Sequence, residues 1–182
     1  MKESDTNSTL KQTLLADVDY SAWANGVLLS ACADLTEEQL DKDLGASHES
    51  ILRTLRHIYY AERAWQRRLA AGVLPPMVEV GDQRTFQDPD PEPGLVELQR
   101  DWPRMHRELH AWVDNATEPL LNGELTSLMP DGSRFAVKSW EIVVHSVNHS
   151  TLHRGQIISM LRMLGAQSPN LDQFSFYLSR AK

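Results

Sequence analysis

The chain of 182 residues contains one cysteine, no long apolar run and fewer basic than acidic residues. A single cysteine, Cys32, excludes a disulfide within the chain, and its apolar setting predicts a small buried side chain rather than a nucleophile. The 18 Lys and Arg residues are outnumbered by 25 Asp and Glu residues, which gives a formal net charge of −7. Because no basic stripe is present to neutralise a phosphate backbone, we expect no nucleic-acid partner.

The absence of long apolar segments also bears on location. No segment is long enough for a membrane span, and the polar N-terminus has no apolar stretch of the signal-peptide type. We therefore expect a cytoplasmic protein without membrane association. With 41% hydrophobic residues, the chain can bury one sizeable core, so we predict a single domain over residues 1–182, with residues 1–7 as a flexible tail.

The main pattern in the sequence is the helical spacing of its apolar residues. Apolar residues recur at helical spacing over four long segments, at about residues 8–34, 48–71, 95–115 and 139–164, and again in a short C-terminal tail at about 172–179. Ser47 is a candidate cap for the second helix, and Gly72 and Gly165 are stop signals. Pro103 predicts either a kink in the third helix or a later start for it.

The connections between these helices differ in kind. Thr36 and Gln39 have the spacing of a capping box and predict a short helical turn. Residues 73–94 contain five prolines, which predicts a long surface loop. The segment ELTSLMPDGSRFAVKSW has two short extended runs around a Pro-Asp-Gly turn, as in a small β-hairpin. We predict an all-α four-helix bundle, with a small β-hairpin before the last long helix and a short C-terminal helix.

The segment HSVNHSTLHRGQI places histidines at every fourth position of the last long helix. Steps of four residues keep His145, His149 and His153 on one face, about 6 Å apart along the axis. The opposite face carries apolar side chains, including Trp140 and Val147, so it also needs cover. Either a further helix or a second subunit can supply that cover, which motivates the hypothesis of a homodimer.

Buried imidazoles need partners, because an unsatisfied buried polar group costs a few kcal/mol. A divalent metal satisfies several rings together, since two histidines at i and i+4 can ligate one ion with a third ligand from a facing helix. The alternative is that the rings form hydrogen bonds with backbone or water as core and boundary residues. Spacing alone leaves both interpretations open.

Three segments resemble a known family. WANGVLL, LRHIYYAERAW and VNHSTLHRGQI, in this order and at these separations, are similar to the DinB-like family of bacterial damage-inducible proteins. The resemblance extends to PDGSRFAV and LDQFSFYL and so covers nearly the whole chain. This family is distinct from the DNA polymerase that shares its name. The resemblance implies a bundle of crossed connectivity in which His57, His149 and His153 hold one divalent transition metal.

The resemblance also suggests a function. Members of the family include thiol S-transferases that use low-molecular-weight thiols, and isomerases of related chemistry, so it implies a metal-dependent thiol S-transferase or a hydrolase acting on a small molecule. A non-catalytic metal-binding stress-response protein is the alternative. An open coordination position beside a pocket favours the enzyme, and a closed four-ligand shell favours the alternative.

The residues of this segment also bear on which metal binds and on whether the protein is a peptidase. Nitrogen ligands suit zinc or nickel first, with iron, cobalt, copper or manganese also compatible. Ser150 occupies the position at which the metalloprotease motif HExxH has glutamate, so a peptidase is disfavoured.

Other histidines compete with this assignment. His57 lies off the apolar arc of its helix, so its role as a ligand depends on the resemblance. His145 is the main rival, as a fourth ligand, a core residue or, as we favour, a side chain that supports a ligand by hydrogen bonding. His48 is interpreted as a surface or capping residue. The second HxxxH pair, His106 and His110, is interpreted as a solvated boundary.

Three further polar residues are candidates for supporting roles. Glu62 points toward the apolar arc and can orient a ligand or substrate, or pair with an arginine. Asn25 and Arg154 can support the ligands by hydrogen bonding, or they can be packing or surface residues. Trp23 and Trp65 are predicted core residues.

Overall fold

The computed structural model describes residues 4–76 and 92–181, with side chains from residue 9 onward. Most of the predicted loop, residues 77–91, lies outside this description, as do residues 1–3. The elements in chain order are α1 Ser4–Cys32, α2 Glu37–Asp41, α3 Ile51–Ala71, α4 Leu95–Asn115, α5 Glu118–Asn122, β1 Glu124–Leu128, β2 Arg134–Lys138, α6 Ser139–Met163 and α7 Gln173–Arg180.

The four long helices α1, α3, α4 and α6 form a bundle of crossed connectivity. Helix α1 packs on α4 and α6, and α3 packs on the same two helices. The first and second of these four helices, α1 and α3, therefore lie diagonally opposite each other, and so do the third and fourth, α4 and α6. This arrangement makes α3 and α6 neighbours, as the metal-site hypothesis requires. The predicted fold class is confirmed.

Helix ends follow local capping chemistry. The side chain of Ser50 accepts a hydrogen bond from the Arg53 N–H, so Ser50 caps α3 and the predicted cap at Ser47 is wrong. Thr36 and Gln39 form the predicted capping box at α2. Helix α4 has the predicted bounds and continues through Pro103, so a later start is excluded.

The hairpin has the predicted position. Strands β1 and β2 pair antiparallel, with Glu124 opposite Lys138 and Leu128 opposite Arg134. Gly132, at φ +84, lies in the turn between them. The short helix α5 was not predicted; Thr117 caps it by accepting a hydrogen bond from the Leu120 N–H. The pair of strands leads directly into α6.

The interior contains two apolar clusters separated along the bundle by polar side chains. One cluster includes Leu28, Leu55, Ile58, Trp102 and Ile157. The other includes Leu14, Val18, Leu109, Val113 and Val143. On each long helix, at least one buried polar residue lies between the positions that belong to the two clusters; these residues include Asn25, Glu62, His106, Ser150 and Arg154. We call these five residues the polar layer.

The second apolar face of α6 is covered within the chain. Val147 packs with Tyr20, Ala24 and Phe176, so α1 and α7 supply the cover. The hydroxyl of Tyr20 donates to the Leu171 carbonyl at 2.9 Å and fixes the segment before α7. Of the two forms of cover predicted for this face, the structure has the further helix. Among the described helices, none has the length and apolar character needed to traverse a lipid bilayer.

Candidate metal centre

The face of α3 that meets α6 carries His57. Ser50 caps the N-terminus of this helix, and Gly72, at φ +64, closes its C-terminus. The side-chain hydroxyl of Thr54 donates to the Ser50 carbonyl at 2.7 Å, so this buried hydroxyl is satisfied within the first turn of α3. His57 itself is half-buried. It therefore faces a neighbouring helix while remaining partly accessible.

Helix α6 brings His149 and His153 to the same place. The two helices run antiparallel, because Trp65 contacts His145 whereas His57 contacts His149 and His153. The Nε2 atoms of His57 and His149 are 3.2 Å apart. The ring centroid of His153 lies 4.5 Å from those of both His57 and His149. The structure thus brings the three predicted ligands together.

His48 joins this group unexpectedly. Its ring stacks on that of His57 at 3.8 Å between centroids. Among the described residues, the grouping whose ligand atoms all lie within 4.8 Å of one another is His48, His57 and His153, and His149 is not part of it. We use the name imidazole cluster for all four residues, His48, His57, His149 and His153. The interpretation of His48 as a helix-capping residue is wrong, since Ser50 caps the helix.

A reversal of the chain before α3 places His48. Glu49 has φ +61, a left-handed conformation that is uncommon outside glycine. The Leu44 N–H donates to the Glu49 carbonyl at 2.8 Å, and the Glu49 N–H donates to the Ala46 carbonyl at 2.8 Å. These bonds fold residues 44–49 back beside the helix start. Helical periodicity carries no signal for a residue in such a turn, which explains why the place of His48 in the site could not be predicted.

Gln156 fixes the orientation of His153. The Nδ1 atom of His153 lies 2.8 Å from the amide oxygen of Gln156, so Nδ1 carries the proton and donates. The lone pair of this ring is then on Nε2. The Ser47 hydroxyl donates to the same amide oxygen at 3.3 Å and links the turn of His48 to α6. Gln156 is therefore a positioning residue for the imidazole cluster.

The rings of His48, His57 and His149 favour the neutral state. Burial, together with the proximity of His48, His153 and His149, lowers the pKa of His57 to about 3. Burial, with His153 and His145 nearby, lowers the pKa of His149 to about 4. Burial and His153 also lower the pKa of His48. Neutral imidazoles present the lone pairs that a metal ligand needs.

The geometry fits a small divalent cation. Two nitrogens about 2.05 Å from one ion at a tetrahedral angle lie about 3.3 Å apart, close to the 3.2 Å between the Nε2 atoms of His57 and His149. The buried Nδ1 atom of His149 forms no hydrogen bond. A metal on Nε2 of His149 leaves this Nδ1 as the N–H of the ring, so the fit to a metal rests on the separation of the two Nε2 atoms. The residues present therefore fit a metal, while a hydrogen bond between the two Nε2 atoms has a similar length.

His145 lies next to the cluster but outside the compact grouping. Its ring centroid is 5.9 Å from that of His149, and it meets the Trp65 ring edge-on at 5.1 Å. The side chain is exposed, so the core interpretation of His145 is wrong. Its ring stands between the cluster and the aromatic side chain of Trp65.

The second HxxxH pair divides between core and surface. His106 is buried, 3.0 Å from the Asn25 amide nitrogen and 3.6 Å from a Glu62 oxygen, so its interpretation as solvated is wrong. Burial lowers its pKa, although the Glu62 carboxylate acts in the opposite direction. His110 stays partly exposed, 3.5 Å from an Asp19 carboxylate oxygen, as predicted for a boundary residue.

Glu62 lies at the centre of the polar layer. Its carboxylate accepts hydrogen bonds from the Trp102 indole at 2.6 Å, the Ser150 hydroxyl at 2.5 Å and the Asn25 amide at 3.2 Å. The Asn25 amide oxygen accepts from the Arg154 guanidinium at 2.9 Å and so bridges the two charged groups. Ser150 follows His149 directly in α6, which connects the polar layer to the imidazole cluster.

The fold and the site together define a class of protein. The chain is a helical bundle with a candidate metal site, at which several imidazoles converge between two antiparallel helices. Comparison with known proteins identifies the family within this class. The model of the DinB family matches residues 6–180, and the chain belongs to that family. It is similar to Protein DinB of Bacillus subtilis (strain 168), with 25% identity over 164 residues, which cover 90% of this chain and 92% of that protein.

Proposed function

We propose that the imidazole cluster binds one divalent transition metal, zinc or nickel first, with His57, His149 and His153 as ligands. The observation that carries the proposal is the convergence of imidazoles from α3 and α6, with the Nε2 atoms of His57 and His149 separated by 3.2 Å. The lowered pKa values of His57 and His149 support it, because these rings need not lose a proton to bind a metal at neutral pH.

We propose further that the metal-bound protein is an enzyme, a thiol S-transferase or a hydrolase acting on a small molecule. A divalent ion supplies Lewis acidity, which lowers the pKa of a thiol or of water. His48, His57 and His149 are all half-buried, so a small molecule can approach the cluster from solvent. Gln156 keeps the Nε2 lone pair of His153 available by accepting a hydrogen bond from Nδ1.

The position of His48 favours a second candidate function. A fourth imidazole stacked at 3.8 Å on His57 can complete a four-nitrogen shell. A closed shell of four protein ligands is typical of structural metal sites, whereas catalytic zinc sites keep a position open. The alternative is therefore a non-catalytic metal-binding stress-response protein. The role of His48 decides between the two.

Elemental analysis of the untagged, purified protein tests the proposal first. We expect about one equivalent of metal per chain, stoichiometric binding lost in His149→Ala, and binding retained in the control His106→Ala. If His149→Ala retains one equivalent while His48→Ala loses it, the triad is His48, His57 and His153 instead. Retention in all the cluster variants would remove the site altogether.

Turnover distinguishes the two functions. A screen of thiols with small electrophiles, run with and without a chelator, should show chelator-sensitive product formation for an enzyme. His48→Ala should then keep its activity, because an open position does not need a fourth imidazole. Absence of chelator-sensitive turnover across the panel, together with weakened metal binding in His48→Ala, would favour the non-catalytic protein.

We also propose that the protein forms a homodimer. Helix α7 exposes several apolar side chains, Phe174, Tyr177 and Leu178, beyond those that cover α6. Such exposed apolar groups on one short helix are typical of an interaction surface. Size-exclusion chromatography with light scattering should give twice the monomer mass of 20.6 kDa at micromolar concentration. A monomer there would contradict the proposal, and Phe174→Ser should shift a true dimer toward monomer.

A further inference from the structure

A groove of about 410 Å³ follows the seam between α1 and α4, on the side of the bundle opposite the seam of α3 and α6. Its volume is within the range of sites that bind small molecules. The apolar part of its wall is formed by Val18, Ala22, Gly26, Leu29, Trp102 and Pro103. An added Cβ at Gly26 would meet no atom within 4 Å, so the groove stays open along this part of α1.

The polar groups of the groove lie at two depths. Asp19 and His110 are partly exposed and lie 3.5 Å from each other, and Arg107 is exposed. These three residues form the rim. Asn25 and His106 also line the groove, and both are buried. A ligand that enters the groove therefore meets the side chains of Asn25 and His106 at its base.

The hydrogen bonds of Asn25 fix the orientation of its amide. The amide oxygen accepts from the Arg154 guanidinium at 2.9 Å, and the amide nitrogen donates to the Glu62 carboxylate at 3.2 Å. Neither partner can take the reverse role, because a guanidinium only donates and an ionised carboxylate only accepts. The second N–H of Asn25 is then left for Nε2 of His106, 3.0 Å away. Nε2 of His106 is therefore an acceptor.

This acceptor role places the proton of His106 on Nδ1. In a neutral imidazole one nitrogen accepts and the other donates, and burial favours the neutral ring by lowering the pKa of His106. Nδ1 forms no hydrogen bond with any residue of the described ranges. In those ranges the unpartnered side-chain nitrogens cut off from solvent are His149 Nδ1 and Arg154 Nε, so the Nδ1–H of His106 is open to the groove. A ring that is only 7% exposed thus directs a free donor into it.

A single neutral donor in an apolar wall defines the chemistry of a ligand. A cationic donor group could not accept a hydrogen bond from Nδ1–H. An anion would be repelled by Asp19 at the rim and by Glu62, whose carboxylate oxygen lies 3.6 Å from Nε2 of His106. A neutral carbonyl oxygen on an apolar body accepts from the N–H and leaves the rest of the ligand to contact the apolar wall.

We propose that this groove binds a small neutral molecule with an apolar body and a carbonyl oxygen, which accepts a hydrogen bond from Nδ1–H of His106. The apolar body lies against Ala22, Leu29 and Pro103. The four residues of the imidazole cluster do not line the groove, so this second site goes beyond the proposed function and does not require the metal.

The position of the proton is tested first, on the protein without ligand. Long-range proton–nitrogen NMR spectra of isotopically labelled protein distinguish the two ring nitrogens, and His106→Gln assigns the signals of this ring. We expect a protonated Nδ1 and an unprotonated Nε2 at neutral pH. A proton on Nε2, or on both nitrogens, would overturn the proposal.

Acetophenone is the probe for binding, and ethylbenzene is the matched control without the oxygen. Occupancy is followed by the methyl signal of Ala22, assigned with Ala22→Ser, and the hydrogen bond by the Nδ1–H signal of His106. Acetophenone should shift both signals saturably, with the N–H signal moving downfield. Ethylbenzene should shift the methyl signal without this downfield change.

The variant His106→Gln separates the hydrogen bond from apolar contact. Its amide oxygen can still accept from Asn25, but no donor remains at the position of Nδ1. The variant should bind acetophenone about fivefold more weakly and leave the affinity for ethylbenzene unchanged, because one neutral hydrogen bond is lost. An equal change for the two molecules would overturn the proposed role of the carbonyl oxygen.

A second variant keeps the test decisive if His106→Gln fails to fold. Gly26→Leu places a side chain in the groove and should abolish the saturable shift by acetophenone. The matched control is Gly155→Leu in α6, where an added Cβ also meets no atom within 4 Å and which lies away from the groove. This control should bind acetophenone as the wild type does. No saturable shift in the wild type, or an unchanged affinity in Gly26→Leu, would contradict the proposal.

Discussion

At the scale of single residues, the crowding of imidazoles is the main physical feature. Four rings share a half-buried space in which centroids lie as close as 3.8 Å. A proton on His48, His57 or His149 is disfavoured by the loss of hydration and by repulsion from neighbouring rings, so these three rings favour the neutral state. This crowding is unfavourable for a cluster of protonated rings and favourable for a cation that several of them ligate.

The crowding predicts how stability depends on pH in the metal-free protein. The pKa values of His57 and His149, about 3 and about 4, lie below the unfolded value of about 6.5. Between these limits the unfolded chain binds more protons, so the free energy of unfolding should fall as pH drops from about 6.5 to 4. Above about pH 6.5 both states are neutral at these rings, and their contribution is constant.

Urea unfolding of chelator-treated protein at several pH values measures this dependence. Each histidine that binds a proton only in the unfolded chain changes the free energy of unfolding by at most about 1.4 kcal/mol per pH unit, and solvent screening of these half-buried rings makes the change smaller. The double variant His57→Gln, His149→Gln is the control and should show a shallower slope. An equally steep slope in that variant would assign the dependence to other groups.

Part of the candidate site can be predicted from the sequence. His149 and His153 follow from a four-residue spacing that any helix places on one face. His57 required the family resemblance, because it lies off the apolar arc of α3. The position of His48 and the burial of His106 depend on tertiary structure. The left-handed backbone at Glu49 places His48 in the site, and the buried His106 ring lies beside the Glu62 carboxylate.

At the scale of elements, the long helices could be predicted because each is amphipathic over many turns. Helix α4 has the predicted ends, and α6 ends one residue from the prediction. The predicted start of α3 lies three residues too early, because two serines are near it and only Ser50 accepts a hydrogen bond from a helical N–H. Helix α5 has five residues, too few for periodicity to indicate it.

Substitution of two glycines by alanine should change the stability of the helices in opposite directions. Gly72 closes α3 at φ +64, where an added Cβ meets no atom within 4 Å but the backbone conformation is unfavourable for L-residues. Gly72→Ala should therefore destabilise the protein by about 1 kcal/mol or more. Gly26 lies inside α1, also with open space around an added Cβ, and its φ is not left-handed. Gly26→Ala should stabilise by about 0.5–1 kcal/mol.

The matched pair is measured by urea unfolding monitored by circular dichroism. Both variants add one methyl group without a steric clash, so any difference comes from backbone conformation. Equal effects of the same sign at the two positions would contradict the role of Gly72 as the left-handed C-cap.

At the scale of the whole molecule, the polar layer divides the bundle core into two apolar clusters and connects all four long helices. Asn25 comes from α1, Glu62 from α3, His106 from α4, and Ser150 and Arg154 from α6. Each member has a hydrogen bond to another, although Arg154 Nε has no partner among the described residues. A buried polar network of this kind penalises helix arrangements that separate its members.

The layer predicts that Glu62→Gln is severely destabilising. The substitution removes the charge that faces the buried Arg154 and directs an amide N–H₂ at groups that donate to Glu62. Breaking a buried charged network by removal of one partner costs about 3 kcal/mol or more. The exposed Glu108 of α4 provides the control, since Glu108→Gln should change stability by no more than about 0.5 kcal/mol.

Urea unfolding of the two variants tests this prediction, and a double variant tests its cause. If the cost arises from an uncompensated Arg154 charge, adding Arg154→Met to Glu62→Gln should recover part of the lost stability, because the two sites are coupled. A cost that is purely additive would instead assign the effect to the hydrogen bonds from Trp102 and Ser150. A loss of less than about 0.5 kcal/mol in Glu62→Gln would show that the polar layer contributes little to the stability of the bundle.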